Sequence, residues 1–144
     1  MIGAINLALK QEMAGDSRVI VFGEDVGLNG GVFRATEGLQ KLYGPERCFD
    51  TPLADSGIIG TGIGLAINGM RPVCEIQFDG FFFEGFSQTI CHAARMRNRS
   101  RGKFTVPMVV RFPYGGGIRA LEHHSESMEA IIGHVPGLKV VIPS

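Results

Sequence analysis

FDTPLADSGIIGTGIGLAINGMRPVCEIQFDGF, residues 49–81, reads as a strand, a helix and a second strand in succession. The first strand is expected over 48–53. Ser56 offers a hydroxyl to cap a helix of small and apolar residues over 57–68, which the Asn68-Gly69 pair ends. Pro72 opens the next apolar run, PVCEIQF, over 72–78. Strand, helix and strand in that order form the unit from which parallel sheets are built.

Outward from this unit the same alternation continues. Ile2, Ile5, Leu9 and Met13 recur at spacings of three and four, as on the buried face of a first helix. RVIVF (18–22) is a short buried strand, followed by a glycine-rich loop through Gly31 and a helix over 33–42. Downstream come a helix over 83–97, a strand over 107–112, a polar loop over 113–125, a short helix over 127–133 and a strand, KVVI, over 139–142. The expected class is α/β: a parallel sheet with helices on both faces.

In such sheets ligands bind beyond the carboxyl ends of the strands. The loops to watch follow Phe22, Leu53, Phe78 and Phe112, and each carries reactive groups. The first has Glu24 and Asp25, the second has Asp50 and Asp55, the third has Asp79 and the stretch 81–84, and the fourth has Glu122, His123, His124 and Glu126. Carboxylates gathered at one edge are costly unless paired, neutral or used.

Composition narrows the classes. Lysine plus arginine and aspartate plus glutamate number 14 each, so no net field favours nucleic acid or a membrane surface. The five cations Arg95, Arg97, Arg99, Arg101 and Lys103 lack interleaved aromatics and fit a subunit interface better than a nucleic acid. Three scattered cysteines, with no CxxC, indicate neither a disulfide framework nor a zinc site, and reduced buried thiols are expected. Glu122, His123 and His124 could bind zinc only if a further ligand converged on them. Gly60, Gly62 and Gly64 lack the GxGxxG order of a dinucleotide loop and are expected to let a helix pack closely on the sheet. No signal-like or membrane-length apolar run occurs, and a cytoplasmic address is expected.

Four stretches, VFGEDVGLNGGVFRATEGLQ (21–40), residues 49–81, PYGGGIRALEHHSES (113–127) and PGLKVVIPS (136–144), resemble the beta subunits of thiamine-diphosphate-dependent 2-oxoacid dehydrogenases of pyruvate and branched-chain type. The resemblance covers nearly the whole chain, in order. It implies the thiamine-diphosphate-binding, transketolase-like pyrimidine-domain fold over 1–144, as a fragment without the family's C-terminal domain. It implies a cofactor shared with an alpha subunit that holds the diphosphate and magnesium, consistent with the absence of a GDG…N motif here. The implied assembly is a heterotetramer with a second beta subunit, serving a lipoyl acyltransferase core. The implied reaction is oxidative decarboxylation of a 2-oxoacid with reductive acylation of lipoamide.

The resemblance also assigns residues. Asp55 falls where the family's TPLAESG stretch has a glutamate that hydrogen-bonds the pyrimidine nitrogen and favours the imino tautomer. Aspartate is one methylene shorter, which retracts the carboxylate by about 1 Å, and a shift of that size can cost about 100-fold in rate. The competing reading is that Asp55 caps the following helix. Phe81 matches the aromatic residue against the pyrimidine, with Phe82 and Phe83 left as core filling. Glu24 and Glu84 match acidic residues between paired active sites, as proton carriers or as walls of a hydrated cavity. His124 matches the histidine beside the reacting centre and the lipoyl group, where a near-neutral imidazole suits proton transfer. Met108 maps onto a structural potassium site through its backbone carbonyl. Two other readings stay open: another transketolase-type thiamine enzyme, or a non-catalytic assembly domain that keeps the fold.

Overall fold

The computed structural model describes residues 1–143. Its elements are α1 (Ile2–Gly15), β1 (Val19–Gly23), α2 (Leu39–Tyr43), β2 (Cys48–Asp50), α3 (Asp55–Ile67), β3 (Arg71–Glu75), a 3₁₀ turn (Asp79–Phe81), α4 (Phe82–Ser87), a π turn (Gln88–Ala93), α5 (Met96–Arg99), β4 (Val109–Arg111) and α6 (Glu129–Gly133). All strand pairs are parallel, in the order β2-β1-β3-β4. The chain leaves β1 toward one side for β2 and returns to the other for β3. The switch point is therefore between β1 and β3, the usual crevice for a ligand.

Register brings the four carboxyl ends level. Gly23 pairs with Asp50 on one side and with Glu75 on the other, and Glu75 pairs with Arg111. Each loop of interest therefore leaves the sheet from one row.

Alternation along β1 divides the core. Ile20 and Phe22 face α3, packing with Ile58, Ile59, Ile63, Cys74 and Phe82. Val19 and Val21 face the other way, onto Leu9 and Met13 of α1, Leu39 of α2 and Cys48. Helices thus cover both faces, as the sequence predicts. Gly62 explains the close seat of α3, since a Cβ there would lie 2.4 Å from Cys74 Sγ and 2.8 Å from Met108 Cε. Gly60 and Gly64 face nothing within 4 Å, so close packing belongs to Gly62 alone in that triplet. Burial pushes the thiols of Cys48 and Cys74 up to about 11 and about 12.

Several expected elements are altered. The helix expected over 33–42 forms only at Leu39–Tyr43, because Arg34 and Gly38 take left-handed backbone at φ 61° and 78°. Thr36 is fully buried instead, donating its hydroxyl to Val26 O at 2.8 Å. Ser56 does not cap α3. The N-cap is Ala54, without a side-chain cap bond, and Asp55 occupies the first turn, where its charge complements the helix dipole. The expected 83–97 helix is broken into a 3₁₀ turn, an α-helix, a π turn and α5. Residues 139–142 pair with no strand among the described residues, and Val141 is 82% exposed. Phe82 is 1% exposed, whereas Phe83, expected in the core, is 54% exposed. The helical turn at 82–87 sends adjacent side chains to different faces. Among the described residues, no helix is long and apolar enough to cross a membrane.

Candidate functional site

Asp55 is set by the start of α3. The β2–α3 loop is fastened to the switch point by Thr51, whose N–H donates to Gly23 O at 3.0 Å. Asp55 is 8% exposed. Burial pushes its carboxyl above the ordinary carboxylate range; its own backbone N–H pulls the other way, and the charge of Glu84 adds to the rise. Glu24, on the loop after β1, is raised by burial, then by Asp25 and by Asp55. Asp55 therefore feels both of the other acids the sequence singles out. Glu84 stands exposed in the first turn of α4.

The first loop is clamped over the row of strand ends. Gly27 N–H donates to Asp50 Oδ1 at 2.6 Å, so Asp50 fastens a loop. Gly31, at φ 78°, lies so close to Glu75 that a Cβ would meet its Oε1 at 2.7 Å. Glu75 is 5% exposed and pairs with Arg111 across β3 and β4. Burial raises the Glu75 carboxyl and Arg111 opposes that rise.

Phe81 and His124 are brought together. Their rings lie 5.4 Å apart, edge to face, and Phe78 approaches the same imidazole at 4.4 Å. Phe78 is the residue that sequence reasoning missed, having been assigned to the end of a strand. The signal was its spacing: it caps a 3₁₀ turn, in which positions three apart eclipse, so Phe78 and Phe81 share a side. His124 Nδ1 lies 2.8 Å from Glu122 O and 3.0 Å from Leu121 O. Carbonyl oxygens only accept, so Nδ1 carries a proton and Nε2 is the free position of the neutral ring. His123 lies farther from Phe81, at 6.2 Å between centroids, and is exposed.

A nearly buried carboxyl that holds its proton more tightly than usual, an aromatic wall and an imidazole with one free nitrogen can bind a flat heterocycle and exchange protons with it. Thr51 adds a buried hydroxyl with no partner. Met108 stands apart from this group, its thioether against Gly62. Among the described residues no three His, Cys, Asp or Glu side chains are grouped to hold a metal ion. A separate open groove, lined by Arg95, Arg97, Arg101, Val106 and Pro136 among others, contains none of the site residues.

Comparison with known proteins identifies the family. The pattern of the family described as "Transketolase, pyrimidine binding domain" matches residues 1–144. The chain is 62% identical over 144 residues to the pyruvate dehydrogenase E1 component subunit beta of Acholeplasma laidlawii, covering 100% of this chain and 44% of that protein. It is 57% identical over 144 residues to the 3-methyl-2-oxobutanoate dehydrogenase subunit beta of Mycobacterium tuberculosis (100% of this chain, 41% of that protein). It is 56% identical, again over 144 residues, to the pyruvate dehydrogenase E1 component subunit beta of Bacillus subtilis (100% and 44%). The chain thus spans less than half the length of these relatives. With the whole chain matched and the parallel sheet in place, this protein belongs to the transketolase pyrimidine-binding domain family.

Proposed function

We propose that this chain is the aminopyrimidine-binding part of the beta component of a 2-oxoacid dehydrogenase, acting with an alpha subunit on thiamine diphosphate. The observation that carries this reading is the buried carboxyl of Asp55, raised above its ordinary range by burial, on the same sheet edge as the Phe81–His124 pair. Relatives named as pyruvate and 3-methyl-2-oxobutanoate dehydrogenase beta subunits support it. The donor set fits the group: a carboxyl for a ring nitrogen, an aromatic face for the ring, and an orphaned buried hydroxyl at Thr51.

Thiamine diphosphate would supply a carbon nucleophile once its thiazolium C2 proton is lost. Asp55 would hold the pyrimidine nitrogen, with a carboxyl that burial raises above the ordinary carboxylate range. Phe81 provides the wall for the ring. His124, held through Nδ1, would present Nε2 to move a proton beside the reacting end of the cofactor. Glu24 and Glu84 form the acidic surround of Asp55 and relay or store protons. Magnesium and the diphosphate fall to the alpha subunit. The potassium reading for Met108 rests on the resemblance alone, its side chain being committed to Gly62. The heterotetramer, the lipoyl acyltransferase core and a cytoplasmic address belong to the same reading.

The test is lipoamide-dependent decarboxylation by the intact protein with its alpha subunit. Asp55→Glu restores the missing methylene and is expected to raise turnover, by up to about 100-fold if the retraction is a full 1 Å. Unchanged or lower turnover would count against pyrimidine contact by Asp55. Absence of both turnover and thiamine diphosphate binding in the unaltered protein would end the enzyme reading in favour of an assembly domain.

A further inference from the structure

The loop that carries His124 comes down onto a glycine. Gly80 is the middle residue of the 3₁₀ turn Asp79–Phe81 and is buried there. A Cβ placed on it would lie 2.4 Å from His123 O, 2.6 Å from His123 Cα and 2.8 Å from His123 C. All three are main-chain atoms of another segment. Gly85 is crowded as well, at 2.3 Å from Ile59 Cδ1, but that is the tip of a side chain, which can rotate aside. A peptide plane has no such freedom. The backbone at Gly80 is not left-handed, so the demand for glycine comes from the contact and not from the turn.

What rests on Gly80 is the backbone that aims His124. His123 takes left-handed backbone at φ 73°, uncommon for a residue with a side chain. That bend lays the His123 main chain on Gly80 and sends the next side chain to the aromatic pair, the His124 ring lying 4.4 Å from Phe78 and 5.4 Å from Phe81. Its Nδ1 is tied to Leu121 O and Glu122 O of the same loop, so the imidazole travels with the loop's backbone. Asp79 N–H donates to Pro113 O at 3.2 Å where the loop leaves the sheet, and Gly115 N–H donates to Glu126 O at 2.7 Å, closing the loop on itself. Beyond those bonds, the Gly80–His123 contact sets the height of the loop above the turn.

We propose that Gly80 is a positioning residue for His124: its missing side chain lets the fourth loop sit down on the third, and the depth of that contact fixes where Nε2 is presented. Ordinary contact begins at 3.4 Å, so a single methyl group would lift the His123 peptide by about 1 Å. A displacement of that size at a group that moves a proton can cost about 100-fold in rate. The lift acts on His124 and spares the groups proposed to hold the pyrimidine, since Asp55 belongs to α3 and Phe81 to the turn that stays in place. The catalytic consequence rests on the role proposed for His124; the seat itself does not.

Gly80→Ala in the intact protein tests the seat by two site-resolved measurements. One is acylation of His124 by diethylpyrocarbonate relative to the exposed His123; the other is amide hydrogen exchange across residues 120–127, referenced to β1. Both are expected to rise by about tenfold or more as the loop lifts from the two rings. Phe78→Leu removes one ring and leaves the Gly80 contact, and should raise acylation of His124 with loop exchange unchanged. Unchanged acylation or unchanged exchange in Gly80→Ala, or faster loop exchange in Phe78→Leu, would overturn the proposal. The Phe78→Leu result decides alone should Gly80→Ala fail to fold. With the alpha subunit, Gly80→Ala should lower lipoamide-dependent kcat by about 100-fold while thiamine diphosphate affinity is kept. Affinity lost together with kcat would mean that the turn itself had moved, against the proposal. Raised acylation with unchanged kcat would remove His124 from the chemistry and leave the seat standing, so the two failures are distinguishable.

Discussion

On the function proposed above, Asp55→Asn is expected to lower lipoamide-dependent turnover with the alpha subunit by about 100-fold or more, the low end of what one positioned acid–base group supplies. Asparagine keeps the size of the side chain and removes the titratable carboxyl, so the fold should survive. Stability should move the opposite way. The folded-state carboxyl is raised, chiefly by burial, so its ionised form is disfavoured in the native protein and stability declines as pH rises through the raised value. A neutral amide removes that decline. Tm of the variant should match that of the unaltered protein near the bottom of the carboxylate range and exceed it at neutral pH. Lower turnover with unchanged or higher Tm would mark Asp55 as a group kept for chemistry at a cost in stability. Turnover within a fewfold of the unaltered enzyme would remove Asp55 from the mechanism.

The second large effect belongs to the core beneath the site. Phe82→Ala is expected to destabilise the protein by about 3–5 kcal/mol. Phe82 is 1% exposed and packs against Phe86 and Phe112 at centroid distances of 6.2 and 5.1 Å. Truncation would leave a cavity where α4, α3 and the sheet meet. Its neighbour is the control: Phe83 is 54% exposed, and Phe83→Ala should change stability by no more than about 0.5 kcal/mol. Denaturant midpoints of the two variants decide the matter; similar losses in both would place Phe83 in the core after all.

The comparison of Phe82 with Phe83 shows what could be read from sequence and what could not. Strand and helix order was legible because apolar runs and amphipathic spacing follow from burial on a two-sided sheet. The edge position of Asp55, Phe81 and His124 followed from that order, since loops after parallel strands share an edge. The Phe81–Phe82–Phe83 run is different. Which ring goes inward depends on the rotation of a short helix that begins from a 3₁₀ turn and passes into a π turn, and composition does not encode that rotation.

Boundaries failed for related reasons. Ser56 looked like a cap because of its residue type, but extended backbone at Ala54 (φ −159°) starts the helix earlier and puts Asp55 in its first turn. Residues 33–38 carry helix-compatible side chains, yet left-handed Arg34 and Gly38 and the buried Thr36 hydroxyl fold them into a loop around Val26. KVVI has the apolar character of a strand, but ladder pairing requires a neighbour at the right distance, which local sequence cannot report. Phe78 became visible only when a loop from one strand was laid against a turn from another.

The two deep thiols give the sheet a built-in timer for each of its sides. Cys48 belongs to the cluster with α1 and α2, and Cys74 to the cluster with α3, so the same sheet separates two inert sulfurs. Each sulfur is near a carbonyl, Cys48 Sγ at 3.6 Å from Val26 O and Cys74 Sγ at 3.8 Å from Ile58 O. At about 11 and about 12 they are almost wholly un-ionised near neutrality, and an alkylating reagent reaches either one only when its own layer opens. The ratio of the two labelling rates therefore compares the opening of one helical layer with that of the other, using only native residues.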